Sequence, residues 1–228
     1  MKTKLCALAI LSATSLPVLA ESVSISVTGT IIPPACKINL PGGDEISYET
    51  LSSDILDATG YTVLEGKTAA LTINCKAPTK VGLVATNQRT NSLAGATENA
   101  AGVGAVPVTL FDSAAEAGVG LGASDGKKVG GYGIRLDPTT ITVDTKSVDI
   151  INKLDSASAW TKNTSGNLYN TTGSQQVSWA TTGQVQPVAF TNLSADLGVE
   201  AYINKRDELD LGKIITLNGL TTIEMVYL

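Results

Sequence analysis

The chain contains no histidine, and its aromatic residues are few: two Phe, two Trp and six Tyr among 228 residues. Without histidine, Ser-His-Asp and Cys-His catalysis, histidine-ligated zinc and the usual proton shuttle near neutral pH are excluded. Basic groups are also outnumbered, 16 against 21 acidic ones. An acidic surface is repelled by phosphate backbones, so the composition argues against nucleic-acid binding.

Long apolar runs are missing too, apart from one near the amino terminus. The chain starts with Lys2 and Lys4, continues with an apolar stretch over residues 5–16, and has compact side chains at residues 18–20. This pattern predicts a signal peptide over residues 1–20 and an exported product. Its removal would take away two lysines and no acid, which changes the net charge from −5 to −7.

Cysteine is scarce as well. Cys6 lies in the predicted signal peptide, which leaves Cys36 and Cys75. In an oxidising compartment an isolated pair is expected to form one disulfide. A redox-active pair is the alternative, but the Cys-x-x-Cys spacing typical of such sites is missing.

What the sequence does have is apolar alternation with a period of two, as in residues 23–27 and 71–75. Runs rich in Val, Ile, Thr and Ser are separated by Gly, Asn, Pro and Asp. This pattern is typical of the short strands of an all-β sandwich. Helical patterns are sparse, and the best candidates are residues 51–56 and 148–154.

Residues 88–131 differ from the rest of the chain, because they are rich in Gly and Ala and poor in large apolar groups. Such a segment is not expected to bury enough apolar surface to form a core of its own. We predict long surface loops or a hairpin inserted into a single sandwich domain. A flexible linker is the alternative, but the strand pattern resumes in the same style on both sides.

Three motifs could carry chemistry, and each lacks a necessary part. The glycine runs at residues 118–122 and 130–133 do not match a phosphate-binding loop, and residues 124–127 have Ser-x-x-Lys spacing without its companion elements. The acidic cluster at residues 207–210 lacks the calcium-loop spacing. The sequence therefore predicts no catalytic, metal or cofactor site; a hydrolase with two carboxylates is the enzymatic alternative.

The two ends of the mature chain carry the most specific pattern. Residues 21–36 have apolar side chains at alternate positions, a glycine in the same series and a cysteine at the end. A glycine weakens a strand, so its place suggests close approach by a neighbouring backbone. A second alternating run, residues 223–228, has a penultimate tyrosine. Two ordinary strands of a complete sandwich would alternate in the same way.

Together with the second cysteine in residues 71–75, this order of features resembles the chaperone–usher pilins, the fimbrial subunits of Gram-negative bacteria. The start of the mature chain looks especially like that of small tip or linker subunits of type 1 pili. The resemblance covers both ends and the cysteines. It is poor over residues 88–175, where this chain is longer than a typical pilin.

The resemblance implies an incomplete immunoglobulin-like β-sandwich whose last strand is missing, which leaves an apolar groove. A periplasmic pilus chaperone fills that groove with a strand, and in the fibre the extension of a neighbouring pilin subunit replaces it. An outer-membrane usher is the third implied partner. Residues 21–35 would be the donor-strand extension, and residues 36–228 would be the pilin-like domain.

The resemblance also gives roles to three sets of residues. Cys36 and Cys75 would pin the first strand to the second. The donor-strand residues would be Val23, Ile25, Val27, Gly29 and Ile31. The groove edge that meets the chaperone would be Ile223, Met225 and Tyr227.

The sequence thus predicts a structural subunit of a fimbria, or a fimbrial-like protein, that contributes to surface adhesion. It would be exported through the periplasm to the fimbrium or cell surface. The alternative is a free-standing periplasmic or surface binding module, or an adhesin, that does not polymerise and makes its contact through the inserted segment. Neighbouring genes for an usher and a chaperone would favour the first hypothesis.

Overall fold

The computed structural model describes residues 22–32 and 34–228, and the predicted signal peptide, residues 1–20, lies outside them. The chain divides into two units, Met1–Ile32 and Pro33–Leu228. In the described part of the first unit there is no helix or strand, and its large apolar side chains are exposed. No helix in the described residues is long and apolar enough to cross a membrane.

The described residues of the second unit form seventeen strands and two 3₁₀ helices, and every pair of neighbouring strands is antiparallel. The strands are β1 (Cys36–Asn39), β2 (Thr62–Val63), β3 (Lys67–Thr79), β4 (Val81–Asn87), β5 (Gly104–Ala105), β6 (Thr109–Leu110), β7 (Ser113–Ala114), β8 (Ala117–Gly120), β9 (Ala123–Ser124), β10 (Lys127–Lys128), β11 (Gly130–Leu136), β12 (Thr142–Val143), β13 (Lys146–Leu154), β14 (Thr161–Lys162), β15 (Gln175–Thr181), β16 (Phe190–Ile203) and β17 (Thr221–Tyr227). The 3₁₀ helices are Ser53–Ile55 and Arg206–Glu208.

The strands make two layers joined by one shared strand. The first sheet has the order β1-β3-β16-β11-β8-β5, and the second has the order β17-β4-β15-β13. Strand β12 pairs with β13 of the second sheet and with β16 of the first. The predicted all-β, immunoglobulin-like sandwich is confirmed. Strand β1 ends the first sheet, and strand β17 ends the second.

One apolar core fills the space between the layers. In β3 the alternation of the sequence places Leu71 and Ile73 inside, where 1% and 0% of their surface is exposed. Strand β16 alternates in the same way from Leu193 to Ala201. Trp179 of β15 meets Phe190 of β16 edge to face, with ring centroids 5.6 Å apart. Aromatic pairs favour this geometry, so the contact between these two rings stabilises the packing of the two layers against each other.

The predicted disulfide is confirmed. Cys36 lies directly opposite Cys75 in the ladder of β1 and β3, and their Cα atoms are 3.9 Å apart. The cross-link therefore fixes an edge strand to its single neighbour.

The two helical predictions had different outcomes. Residues 51–56 contain the short 3₁₀ helix Ser53–Ile55, whose first turn is capped by the Ser52 hydroxyl. The helical turn predicted over residues 148–154 is wrong, because those residues belong to β13. Ile150 and Ile151 are adjacent and both buried, so the period of two is broken in the sequence there.

Of the two alternatives predicted for residues 88–131, long surface loops are wrong, whereas inserted hairpins are present, since β6 pairs with β7 and β9 pairs with β10. Strand β8 of this segment pairs with β11, and β5 pairs with β8, so the segment extends the first sheet. Its large side chains join Tyr202 of β16 in a second apolar cluster. The members of that cluster are Leu93, Ala94, Val106, Leu110, Phe111 and Tyr202.

The glycines of this segment reflect dense packing rather than looseness. A Cβ atom on Gly120 would overlap Ser92, and one on Gly130 would overlap the carbonyl oxygen of Tyr202. Glycine is required where two backbones approach this closely. The composition that suggested loops is therefore what allows the segment to pack against the sandwich.

Candidate functional site

A groove of about 950 Å³, lined by both apolar and polar residues, lies against the first sheet between residues 40–56 and residues 209–223. Its floor is the inner face of the first sheet, where the buried side chains of Ile134 of β11 and Val199 of β16 line it. One wall is formed by residues 40–56, which follow β1, and the other by residues 209–223, which lead into β17. We call these the first wall and the second wall of the groove.

Both walls present apolar side chains to the groove without forming a strand ladder along their length. In the first wall, Ile46 and Tyr48 pack on the core while Ser47 between them faces solvent. In the second wall, Ile215 and Leu217 also pack on the core. Among the described residues, no strand covers residues 44–52 or 211–220. The sandwich is open along this side.

The edge of β17 has backbone groups that point away from its partner strand. Leu220 accepts a hydrogen bond from Gln88, and Leu228 donates one to Lys80, so the even-numbered residues of this stretch face β4. In an antiparallel ladder the intervening residues face the other way. The N–H and C=O groups of Ile223 and Met225 therefore point to the open side. An edge of this kind is a template for another strand.

The edge of β1 is open in the same sense. Ala35 accepts a hydrogen bond from Lys76 of β3, so the N–H of Cys36 points away from β3. That N–H donates to the hydroxyl oxygen of Tyr227 at 3.0 Å. The tyrosine therefore spans the space between the two edge strands, at the end of the groove where the disulfide lies.

The three residues predicted at the groove edge lie together on β17, and they have different surroundings. Ile223 lines the groove, and Met225 packs half-buried against the core. Tyr227 is 45% exposed and contacts β1 through its hydroxyl.

The predicted donor-strand residues belong to the first unit and are exposed. The exposed fractions of Val23, Ile25, Val27 and Ile31 are 87%, 85%, 93% and 99%. Among the described residues, no atom lies within 4 Å of a Cβ atom built on Gly29.

Two tyrosines of the groove are kept protonated by burial. Desolvation raises the pKa of Tyr132 to about 12, although its hydrogen bond to Thr221 and the charge of Arg89 oppose the shift. Desolvation, helped by the negative charge of Glu200, also raises the pKa of Tyr48 to about 12. The charge of Lys67 lies 5.9 Å from the centre of the Tyr48 ring.

These pKa values predict loss of stability at alkaline pH. A group whose pKa is higher in the folded state than in the unfolded state contributes stability that is present below the unfolded pKa, about 10 for tyrosine, and lost as pH rises through the folded pKa. We expect the melting temperature to fall between pH 10 and pH 12. Tyr132→Phe should reduce the slope in that interval, as measured by circular dichroism. An unchanged slope in the variant would contradict this assignment.

The motifs weighed for chemistry are dispersed. Residues 124–127 form the exposed turn between β9 and β10, and residues 118–120 lie in the buried strand β8. Asp207 and Glu208 lie in the second 3₁₀ helix, and Asp210 pairs with Lys213 at 3.7 Å. Within the described residues there is no group of three or more His, Cys, Asp or Glu side chains that could hold a metal ion.

The sequence did not predict the first wall, nor the long-range contacts that hold the second wall. The alternation of Ile46 and Tyr48 is the one local signal for the first wall. Thr221, at the start of β17, shares hydrogen bonds with the hydroxyls of Tyr132 and Tyr169 at 2.7 and 2.8 Å. Contacts between residues so far apart in the chain leave no pattern in the sequence.

Comparison with known proteins gives two similarities. Residues 25–133 match the family described as "Protein of unknown function (DUF1120)". Protein GltF of Escherichia coli (strain K12) is 26% identical over 223 residues, which cover 90% of this chain and 87% of that protein. No solved structure matches. The chain is thus similar to GltF over most of its length, and it contains a region similar to this family.

Proposed function

We propose that this protein is a structural subunit of a fimbria, or a fimbrial-like protein, whose groove accepts a β-strand from another polypeptide. In the fibre the donor is the exposed segment 22–32 of a second subunit. Before assembly a periplasmic chaperone supplies the strand, and an outer-membrane usher exchanges the two. The protein is exported, and the assembled fibre contributes to adhesion at the cell surface.

The observation that carries the proposal is the groove between the two walls, which are continuous in the chain with the open edge strands β1 and β17. An added strand gains backbone hydrogen bonds from the edges, and its alternate side chains fill the groove. Residues 23, 25, 27 and 31 supply four β-branched apolar side chains on one side of such a strand. Each contributes about 1.5–3 kcal/mol when fully buried, before the entropy of ordering the segment is subtracted. Backbone hydrogen bonds to the open strand edges add to this apolar contribution and help to offset the entropy of ordering.

A synthetic peptide of residues 21–35 tests the proposal directly. We expect it to bind the exported protein and to raise its melting temperature, because it covers the groove. The peptide with Gly29→Leu should bind about 10- to 100-fold more weakly, because an added side chain in a packed site costs about 1–3 kcal/mol. Isothermal titration calorimetry gives both affinities.

Thr28→Leu in the same peptide is the matched control. It places the same leucine side chain at the neighbouring position, which faces away from the groove in a donor strand. We expect its affinity to stay within about threefold of the unmodified peptide. Equal weakening by the two substitutions, or no binding by the unmodified peptide, would refute the donor-strand proposal.

A second candidate is a surface binding module that does not polymerise. It is favoured by a separate polar cavity of about 210 Å³, beside the inserted segment, where Glu116 and Asn167 meet. Asn152 and Gln175 also line this cavity, joined by a hydrogen bond of 2.6 Å. An amide-rich lining of this kind suits a small neutral polar ligand. Failure of the peptide to bind would favour this candidate.

A further inference from the structure

The second wall of the groove is supported by contacts with the inserted segment rather than by pairing with a neighbouring strand. Strand β4 accompanies β17 as far as the pairing of Asn87 with Thr221, and Gln88 still donates to Leu220. Beyond that point β4 has ended, and the wall continues over residues 211–219 without it. Any support for this part of the wall must come from elsewhere in the fold.

The main support meets the wall at Asn218. The guanidinium of Arg89 donates through Nε to the carbonyl oxygen of Asn218 at 3.2 Å and through Nη2 to its Oδ1 at 3.1 Å. The N–H of Asn218 donates to the carbonyl oxygen of Leu121 at 2.9 Å. Both the donor, N–H, and the acceptor, C=O, of this wall residue are therefore bound to the inserted segment.

Arg89 is itself fixed in position. Its backbone N–H donates to Oδ1 of Asn87 at 2.8 Å, and Nδ2 of the same asparagine donates to the carbonyl oxygen of Gly102 at 2.7 Å. Asn87 is 5% exposed. The Nη1 of Arg89 also donates to the carbonyl oxygen of Gln88 at 3.2 Å. A planar guanidinium that is anchored at its base holds two acceptors of one residue in a fixed fork, whereas a lysine offers a point charge on a flexible stem.

A weaker support meets the wall at Lys213. Its ammonium group pairs with Asp125, in the turn between β9 and β10, and with Asp210 at 3.7 Å. The side chains of Lys213 and Asp125 are 62% and 56% exposed. Exposed pairs of this kind contribute little. Of these two polar supports of the wall, the contact made by Arg89 is therefore the stronger.

We infer that Arg89 is a positioning residue for the groove: it holds the second wall in the arrangement that receives an added strand. The inference rests on the proposed function, since it assigns a role within strand binding. If the wall moves between several arrangements, the groove binds a strand in only one of them. The apparent affinity is then lowered in proportion to the fraction of molecules that have this arrangement. The inserted segment, which is the part of this chain least like a pilin in sequence, thus serves to pre-organise the groove.

The test compares Arg89→Ala, Arg89→Lys and Asn218→Ala with the unmodified protein in two measurements. The first is amide hydrogen exchange of the free protein, and the second is the affinity for the peptide of residues 21–35. We expect Arg89→Ala to accelerate exchange at residues 211–220 and to weaken peptide binding about tenfold, because a hydrogen bond to a charged group is lost. Exchange in β3 and β15 should not change.

The other variants separate positioning from charge. Arg89→Lys keeps the charge but not the forked geometry, so it should behave like Arg89→Ala. Asn218→Ala combined with Arg89→Ala should weaken binding no further than Arg89→Ala alone, since both remove the same contact. Lys162→Ala is the control, because it breaks an ion pair with Asp149 at 3.0 Å, on β13 and β14 of the second sheet. It should leave both measurements unchanged.

The outcomes distinguish this inference from the proposed function. Unchanged exchange of the wall in Arg89→Ala, or accelerated exchange throughout both sheets, overturns the positioning role. Full recovery of affinity by Arg89→Lys also overturns it, because charge alone would then be sufficient. If the unmodified protein binds no peptide, the proposed function fails, and local acceleration of exchange at the wall still supports Arg89 as the residue that holds it.

Discussion

Replacement of Gly130 by alanine is expected to lower the free energy of unfolding by about 3 kcal/mol or more. A Cβ atom there would overlap the carbonyl oxygen of Tyr202, and the other nearest atoms also belong to the backbone of β16. Backbone atoms cannot rotate away as a side chain can. The carbonyl of Gly130 also accepts hydrogen bonds from Ala94 and Leu121, so a shift of this residue would disturb the whole inserted segment.

Urea unfolding followed by tryptophan fluorescence gives the change, and Gly42→Ala is the matched control. Nothing lies within 4 Å of a Cβ atom on Gly42, so the same substitution should cost less than about 0.5 kcal/mol there. If residues 88–131 were surface loops, Gly130→Ala would instead be neutral or stabilising by up to about 1 kcal/mol, through the entropy of the unfolded chain. The sign of the effect therefore decides between the two descriptions of this segment.

Removal of the disulfide by Cys36→Ser with Cys75→Ser is expected to lower the free energy of unfolding by about 4 kcal/mol, on the chain-entropy account of a cross-link between residues 39 apart. The effect is large because β1 is an edge strand with one neighbour, β3. When β1 detaches, the first wall of the groove loses its anchor. We therefore expect peptide binding to be lost at a temperature at which the remaining sandwich is still folded.

Thermal unfolding of the double variant, with and without the peptide of residues 21–35, checks this prediction. Tyr227→Phe is a suitable comparison, because it keeps the disulfide and removes the hydrogen bond that the N–H of Cys36 donates to the tyrosine hydroxyl. That single hydrogen bond should be worth about 1 kcal/mol. A double variant that loses no more stability than Tyr227→Phe would show that β1 is held mainly by its ladder with β3.

The parts of the fold that were predictable from sequence are those in which local pattern and burial agree. Strand β3 alternates cleanly between core and solvent, and its alternation is visible in residues 71–75. The pairing of Cys36 with Cys75 followed from there being no other cysteine in the mature chain. Strand β13 was not recognised, because Ile150 and Ile151 are buried in succession.

The groove and its support were predictable only in part, for a physical reason. Glycine is common both in flexible loops and where backbones touch, and composition cannot tell Gly130 from Gly42. The contact of Arg89 with Asn218 joins residues 129 apart. Both residue types are ordinary on a protein surface, so nothing local marks them. The groove edge on β17 could be proposed because resemblance, rather than pattern, pointed to residues 223, 225 and 227.

The hydrogen bond between Tyr227 and Cys36 affects the relative stability of the empty groove and of a groove filled by an added strand. The N–H of Cys36 faces the open side of β1, where the carbonyl oxygen of an added strand would accept from it. The tyrosine hydroxyl of the same chain thus accepts the hydrogen bond that this carbonyl would accept. If a strand is added as proposed, it must displace the hydroxyl that satisfies this donor in the empty groove. Tyr227 would then stabilise the empty groove, and because its side chain is already 45% exposed, water could hydrate the displaced hydroxyl.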